Sequence, residues 1–207
     1  LGVYWRARAA VTAPRPLWKN SAAVQGCRVD QIDEEGFRAN VGIIVCDARS
    51  LVLVGGRVGQ DAWQFPQGGV GRHEAPEDAL FRELKEEIGL DRNAVRLLGA
   101  TREWLRYDLP KRYRRRGVDS FCIGQKQRWF LLQCTQTELS FRFDATNEPE
   151  FDQFRWASWW DPVREVIFFK RPVYVQALHE LSSLAHPAGL PPYPEWWEPQ
   201  TAAVMPA

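Results

Sequence analysis

The chain has 207 residues, 45% of them hydrophobic, 26% charged and 13% aromatic, with 27 basic side chains against 26 acidic ones. A chain of this length buries roughly 70% of its unfolded surface and needs neither a disulfide framework nor a structural metal to hold one soluble core. The near balance of charge excludes a uniformly basic nucleic-acid coat, and no apolar run approaches the ~18 residues of a membrane-spanning helix.

Residues 1–30 open the chain with Arg6, Arg8, Arg15, Lys19 and Arg28 and no acid up to that point. Without them the chain carries 22 basic and 26 acidic residues. A phosphate-binding surface must therefore be a local cluster on an acidic background. The segment shows neither a period of 2 nor one of 3.6, and no apolar signal region follows its start. It is expected to be a disordered extension, or a stretch upstream of a start nearer Val29, in preference to a transit peptide or a nucleic-acid arm, on a protein of the cytoplasm. Cys27, Cys46, Cys122 and Cys134 form no C-x-x-C pair and read as reduced thiols.

The folded unit is expected over residues 31–184. Residues 40–46 (NVGIIVC) and 51–54 are β-branched runs around the polar turn 47–50, a hairpin pattern. Residues 63–66 form a short extended piece closed by Gly68 and Gly69. Pro76, followed by Glu77 and Asp78 and closed by Gly89, brackets a helix over 76–88. Further strands are expected near 95–101, 103–109, 128–134 and 154–157, with a second helix over 172–184. This is the pattern of an α/β protein with a mixed central sheet. Residues 185–207 are rich in proline and read as an extended tail, with Trp196 and Trp197 as candidates for docking.

The helix over 76–88 carries the chemistry. At ~100° per residue, Leu80, Leu84 and Ile88 form one stripe for the sheet, while Glu83, Glu86 and Glu87 share a neighbouring arc. As plain structure this arc is a poor choice: like charges three and four residues apart repel, and the helix C-terminus disfavours acids by ~0.3–1 kcal/mol each. A divalent cation bound by clustered oxygen ligands resolves the conflict. The competing reading is a solvated acidic helix face.

From Gly68 the chain reads GGVGRHEAPEDALFRELKEEIGL: a glycine, five residues, Glu74, seven residues, then Arg82, Glu83, Leu84, Glu86, Glu87, Gly89 and Leu90. This run, Gly68 to Leu90, resembles the Nudix box G-x5-E-x7-R-E-U-x-E-E-x-G-U at every fixed position. The seven strictly specified positions match by chance with a probability on the order of 10⁻⁸ per start. The resemblance implies a Nudix-type α/β/α sandwich. It implies hydrolysis of a diphosphate linkage with Mg²⁺, with Mn²⁺ or another divalent cation as a substitute. On it Glu83, Glu86 and Glu87 bind metal together with Gly68, Arg82 holds a box glutamate in place, and Glu74 supports the helix entry or the outer shell of the metal.

Further stretches are similar to the bacterial RNA 5′-pyrophosphohydrolases within that family: GFRANVGI at 36–43, WQFPQGG at 63–69, WLRYDLPKR at 104–112, CIGQKQRWFLL at 122–132, PEFDQFRW at 149–156 and FKRPVY at 169–174. These enzymes convert the 5′-triphosphate or 5′-diphosphate end of RNA to a monophosphate and so initiate mRNA decay. The resemblance implies that Arg38, Arg57, Tyr107, Gln125 and Lys126 line the RNA or phosphate path. It makes Glu150 either a fourth metal ligand or the general base, against the alternative of an ordinary loop glutamate. The implied partner is a single-stranded RNA 5′ end, met by a monomer away from membranes; a protein activator stays open.

The residues make chemical sense by themselves as well. Lys111, Arg112, Arg114, Arg115 and Arg116 place five cations within six residues of an expected loop, and Phe169 beside Lys170 offers a ring and a cation to an unpaired base. A soluble loop and a core phenylalanine are the competing readings. Two rival functions stand beside the first: hydrolysis of diadenosine polyphosphates, and a catalytically silent Nudix module that binds RNA or nucleotides. His73, His179 and His186 form no ligand pattern.

Overall fold

The computed structural model describes residues 5–6, 32–114, 122–135, 141–142 and 149–197. Nine strands are found among them: β1 (Trp5–Arg6), β2 (Phe37–Cys46), β3 (Val52–Arg57), β4 (Trp63–Gln64), β5 (Gln67–Gly69), β6 (Val95–Ala100), β7 (Leu105–Asp108), β8 (Gly124–Cys134) and β9 (Phe151–Ala157). Three α-helices accompany them: α1 (Pro76–Ile88), α2 (Asp161–Glu165) and α3 (Arg171–Ala185).

The sheet runs β1-β9-β3-β2-β8-β6, with β4 on β3, β5 on β2 and β7 on β8. Only β2 and β8 run parallel, from Phe37 opposite Gly124 to Cys46 opposite Gln133; the other pairs are antiparallel, which makes the sheet mixed. Strand alternation sends successive side chains to opposite faces. Ala39, Val41, Ile43 and Val45 of β2 join Phe130 and Leu132 of β8 under Ala79, Leu80, Leu84 and Ile88 of α1. On the other face Ile44, Val52, Val54, Trp129 and Leu131 pack under Val173, Tyr174, Leu178 and Leu181 of α3 and Val163 of α2. The chain is thus an α/β/α sandwich with two cores, one on each face.

α1 obeys its sequence signals. Pro76 sits in its first turn with Glu77 and Asp78, and Gly89 ends it at φ 73°, where its N–H donates to the Lys85 carbonyl. The left-handed conformation at that point favours glycine. The expected hairpin needs correction: β2 and β3 pair only at its closed end, Cys46 opposite Val52. Beyond it they separate, and the 63–69 segment enters the gap, with β4 pairing to β3 and β5 to β2. β2 and β8 also begin earlier than their apolar runs, at Phe37 and Gly124. α2 was not expected; five residues opened by Asp161 and Pro162 are too few to show a helical period.

Parts of both ends of the chain lie against the sandwich. Trp5 and Arg6 pair with Phe154 and Gln153 at the sheet edge, because an edge strand's open backbone groups accept extended chain. In the proline-rich tail Trp160 donates its indole N–H to the Pro191 carbonyl at 3.0 Å, and the Trp197 ring lies 5.1 Å from that of Trp160. The expectations on residues 7–30, Arg115, Arg116 and 198–207 lie outside the described residues.

Phe65, at the middle of the inserted segment, is fully buried. Its ring stacks on Tyr174 at 5.1 Å and meets the edge of Trp129 at 5.9 Å, and its backbone N–H donates to the Tyr174 hydroxyl at 3.1 Å. That hydroxyl ties α3 to the segment that parts β2 from β3. Tyr174→Phe keeps the ring but orphans a buried N–H, so it should lower unfolding stability by about 1–3 kcal/mol, read from the urea midpoint of the full chain. An unchanged midpoint would show that the inserted segment does not depend on this bond.

Candidate active site

β5 forms a floor for α1, and each of its three residues serves a charged side chain of the helix. The Gln67 N–H donates to Glu87 at 2.9 Å, and the Gly69 carbonyl accepts from Arg82 at 2.7 Å. Gly68 leaves room for Glu83, since a Cβ there would overlap the Glu83 carboxylate. Arg82 then gathers the acids. Its guanidinium is bidentate to Glu74, at 2.7 and 2.8 Å, bonds Glu83 and reaches Glu86 at 3.2 Å. Glu74 is held in turn by the Gly71 N–H at 2.9 Å. The bonds to Glu74, followed by Glu83, hold the Arg82 proton more firmly than usual.

The three box glutamates differ in burial. Glu86 is partly open to solvent and Glu83 much less so, while Glu87 is buried. Burial pushes the Glu87 carboxyl well above the usual carboxylate range, and the negative charges of Glu150 and Glu83 push it the same way; the Gln67 N–H opposes them. Glu150, just before β9, comes from outside the box. It accepts from the Gln64 side chain at 2.9 Å and pairs with Arg57 at 3.4 Å.

Beside these acids lies a cavity of about 510 Å³, walled by Arg38, Arg57, Tyr107, Gln125, Phe169 and Lys170 among others. These residues come from β2, β3, β7, β8 and the turn of residues 168–170 ahead of α3. The polar openings of β2 and β8 supply the first contacts. Gln125 has its side-chain oxygen fixed by Asn40 at 2.9 Å and by the Tyr107 hydroxyl at 2.6 Å, which leaves its amide N–H groups as donors. Lys170 is buried, and that burial pulls its ammonium down to about 8 with help from Arg57, while Glu150 and Glu87 oppose the shift.

The structure therefore joins Arg38, Arg57, Tyr107, Gln125, Phe169 and Lys170 in one cavity, and joins Glu83, Glu86, Glu87, Arg82 and Gly68 over β5. Lys126 goes elsewhere. Strand alternation turns it from the cavity wall, and its ammonium pairs with Asp33 at 2.9 Å beside the Trp104 ring. Lys111, Arg112 and Arg114 stand on and just after a single 3₁₀ turn, with Lys111 and Arg112 exposed.

Gln64, Gln67 and Tyr113 escaped the reading of single residues. Gln64 links Glu150 to the cavity wall, and Tyr113 lines its rim. Their signal was present only in the Trp-Gln-Phe-Pro-Gln run as a whole and in the residue after the Lys-Arg pair.

The donor set suits a hard divalent cation, because four carboxylates offer oxygen alone. Among the described residues no three of these groups already converge on a single point. Arg82, the Gln67 N–H and Gln64 each hold carboxylate oxygens of the cluster in hydrogen bonds of their own. A cation among them would relieve the charge that Glu83 and Glu150 impose on buried Glu87.

Comparisons with known proteins bear on the family and the fold. The NUDIX domain profile matches residues 36–178. The chain is 51% identical over 172 residues, 83% of its length and 95% of the relative's, to an RNA pyrophosphohydrolase of Alkalilimnicola ehrlichii. It is 54% identical over 155 residues to an RNA pyrophosphohydrolase of a Marinomonas species, covering 75% of this chain and 96% of that one. Among solved structures it superposes on the dihydroneopterin triphosphate pyrophosphohydrolase of E. coli with a TM-score of 0.54 and 20% identity, over 67% of this chain and 92% of that one. The Ap4A hydrolase of C. elegans follows with a TM-score of 0.52 and 14% identity, over 70% and 95%. At these identities the solved structures speak for the fold alone.

Gly68→Ala tests the floor. The backbone at Gly68 is not in the left-handed region, so the cost falls on the carboxylate end of the Glu83 side chain. Folding stability should stay within ~0.5 kcal/mol, while Mn²⁺ affinity, titrated by electron paramagnetic resonance, should fall on the order of 10-fold or more. Unaltered affinity would take Glu83 out of the metal site.

Proposed function

Because the chain belongs to the Nudix family, we propose that it is a metal-dependent hydrolase that converts the 5′-triphosphate end of RNA to a monophosphate, releasing pyrophosphate, and so opens transcripts to decay in the cytoplasm. One observation carries this reading: a cavity lined by Arg38, Arg57 and Lys170 abuts the carboxylate cluster, with Glu150 and Gln64 at the junction. The relatives named RNA pyrophosphohydrolase, matched over nearly their whole length, support the choice of substrate.

Glu83, Glu86 and Glu87 would hold Mg²⁺ or Mn²⁺ with the backbone at Gly68, and Glu150 would serve as a fourth ligand or as the general base. When bound, such cations neutralise the oxygens of the phosphoanhydride. The remaining work belongs to the chain's own groups. Arg57 and Lys170 bring positive charge to the phosphates from the cavity side, and Arg38 adds a planar donor. Gln125, fixed through its oxygen by Asn40 and Tyr107, presents donors at the wall. As the general base, Glu150 would accept a proton from the attacking water, since its side chain is partly open to solvent while Glu87 is buried. Water adds to phosphorus, the bond to the departing pyrophosphate breaks, and the proton passes to the carboxylate. Arg82 acts at one remove as a positioning residue that keeps Glu83 and Glu86 from repelling each other.

The decisive experiment supplies 5′-triphosphorylated RNA and, separately, diadenosine tetraphosphate to the full chain with Mg²⁺. Faster conversion of RNA ends to monophosphate is expected; cleavage of the dinucleotide with inert RNA would reassign the substrate, and silence on both would make the chain a binding module. Glu86→Gln should reduce RNA turnover by a factor on the order of 10² or more, with circular dichroism unchanged because the side chain is partly exposed. Near-normal turnover would remove Glu86 from the machinery.

A further inference from the structure

The rim of the cavity carries aromatic surface for which the chemistry above has no use. Phe168 is 52% exposed and Tyr113 39%, and Ile167 between the core and the rim is 37% exposed. Exposed apolar side chains gathered at one place mark a binding surface more often than scattered ones do. The turn of residues 168–170 divides its two phenylalanines. Phe169 turns inward, with its ring 5.8 Å from Tyr107 and 5.0 Å from Tyr113. Phe168 turns outward, its ring at 84° to that of Phe169. The inner ring is therefore partly used by packing, and the outer one is left open.

Cations accompany these open rings. The Arg112 guanidinium stands 4.9 Å from the Tyr113 ring and 6.0 Å from that of Phe168, and Lys111 is exposed beside it. Two rings, a planar guanidinium and a free ammonium together match the chemistry of unpaired bases on a phosphate chain. An apolar protein partner has no use for those cations, and a duplex does not offer its base faces. Tyr113 and Ile167 also line the cavity, so the rim continues the path along which an RNA end would enter.

We infer that Phe168, Tyr113 and Arg112 form an outer nucleobase platform, which stacks unpaired nucleotides downstream of the reacting 5′ end and makes the enzyme favour single-stranded ends long enough to reach from the cavity to the rim. This rests on the RNA reading above. The ring that an unpaired base meets at the rim is then Phe168, while Phe169 shapes the cavity behind it.

The test compares 5′-triphosphorylated RNAs of two and eight nucleotides, and the eight-nucleotide RNA annealed to its complement, on the full chain with Mg²⁺. The longer unpaired RNA should show a KM about tenfold below that of the dinucleotide, and annealing should abolish that advantage. Phe168→Ala should bring the two KM values within about twofold of each other, while Phe168→Trp keeps them apart. 2-Aminopurine placed at successive downstream positions should be quenched by the native protein at one of them, and far less by Phe168→Ala. Equal KM values for short and long RNA on the native protein, or a length preference that survives Phe168→Ala, would overturn the platform alone. Inactivity on every RNA alongside hydrolysis of diadenosine tetraphosphate would overturn the platform together with the proposed function.

Discussion

A single guanidinium holds together a helix face that would otherwise repel itself. Glu83, Glu86 and Glu87 crowd the C-terminal half of α1, where the helix dipole already disfavours negative charge. Arg82 answers from within the same turn, and it does so while clamped to Glu74 and to the backbone of β5. Its hold on Glu74 matters as much as its hold on the cluster, because a cation free to swing would not set carboxylate positions. β5 supplies the other half of the constraint. A side chain at Gly68 would displace Glu83, and the Gln67 N–H opposes the protonation of buried Glu87.

β5 can serve as that floor because the sheet is opened on purpose at one end. β2 and β3 share only the closed end of their hairpin, and the segment from Trp63 to Gly69 occupies the space between them. Parting two strands exposes backbone donors and acceptors, and β4 and β5 satisfy these on either side. Phe65 secures the insertion through the Tyr174 hydroxyl and the Trp129 ring. The inserted segment then presents Gln64 to Glu150 on one side and Gln67 to Glu87 on the other. Glu87 and Glu150, far apart in the chain, thus meet across the four residues from Gln64 to Gln67.

The electrostatics suit a polyanionic ligand on a protein whose charges otherwise nearly balance. Arg38, Arg57 and Lys170 enter the cavity from three separate elements, and Lys111 and Arg112 stand exposed near its rim. Lys170 is the most confined of them: burial draws its pKa down to about 8, and Glu150 and Glu87 restrain that fall. These cations gather at one mouth, where they attract phosphates without a basic coat over the whole surface.

The 76–88 helix, its stripe of Leu80, Leu84 and Ile88 and its acidic arc were legible in the chain, because helical periodicity and caps are local and a box spaced over 23 residues needs no partner to be seen. The apolar halves of β2 and β8 were legible for the same reason. Their polar openings at Phe37–Ala39 and Gly124–Gln127 were not, since strands whose side chains line a cavity lose the apolar run by which a buried strand is recognised. Nor could spacing alone tell that Lys126 faces Asp33 while Gln125 faces the cavity, because a difference of one residue reverses the face only once the register is set. The local sequence determined which residues could repel, cap and bind; tertiary structure decided which of them meet, because contacts such as Gln64 to Glu150 depend on how strands distant in the chain are paired.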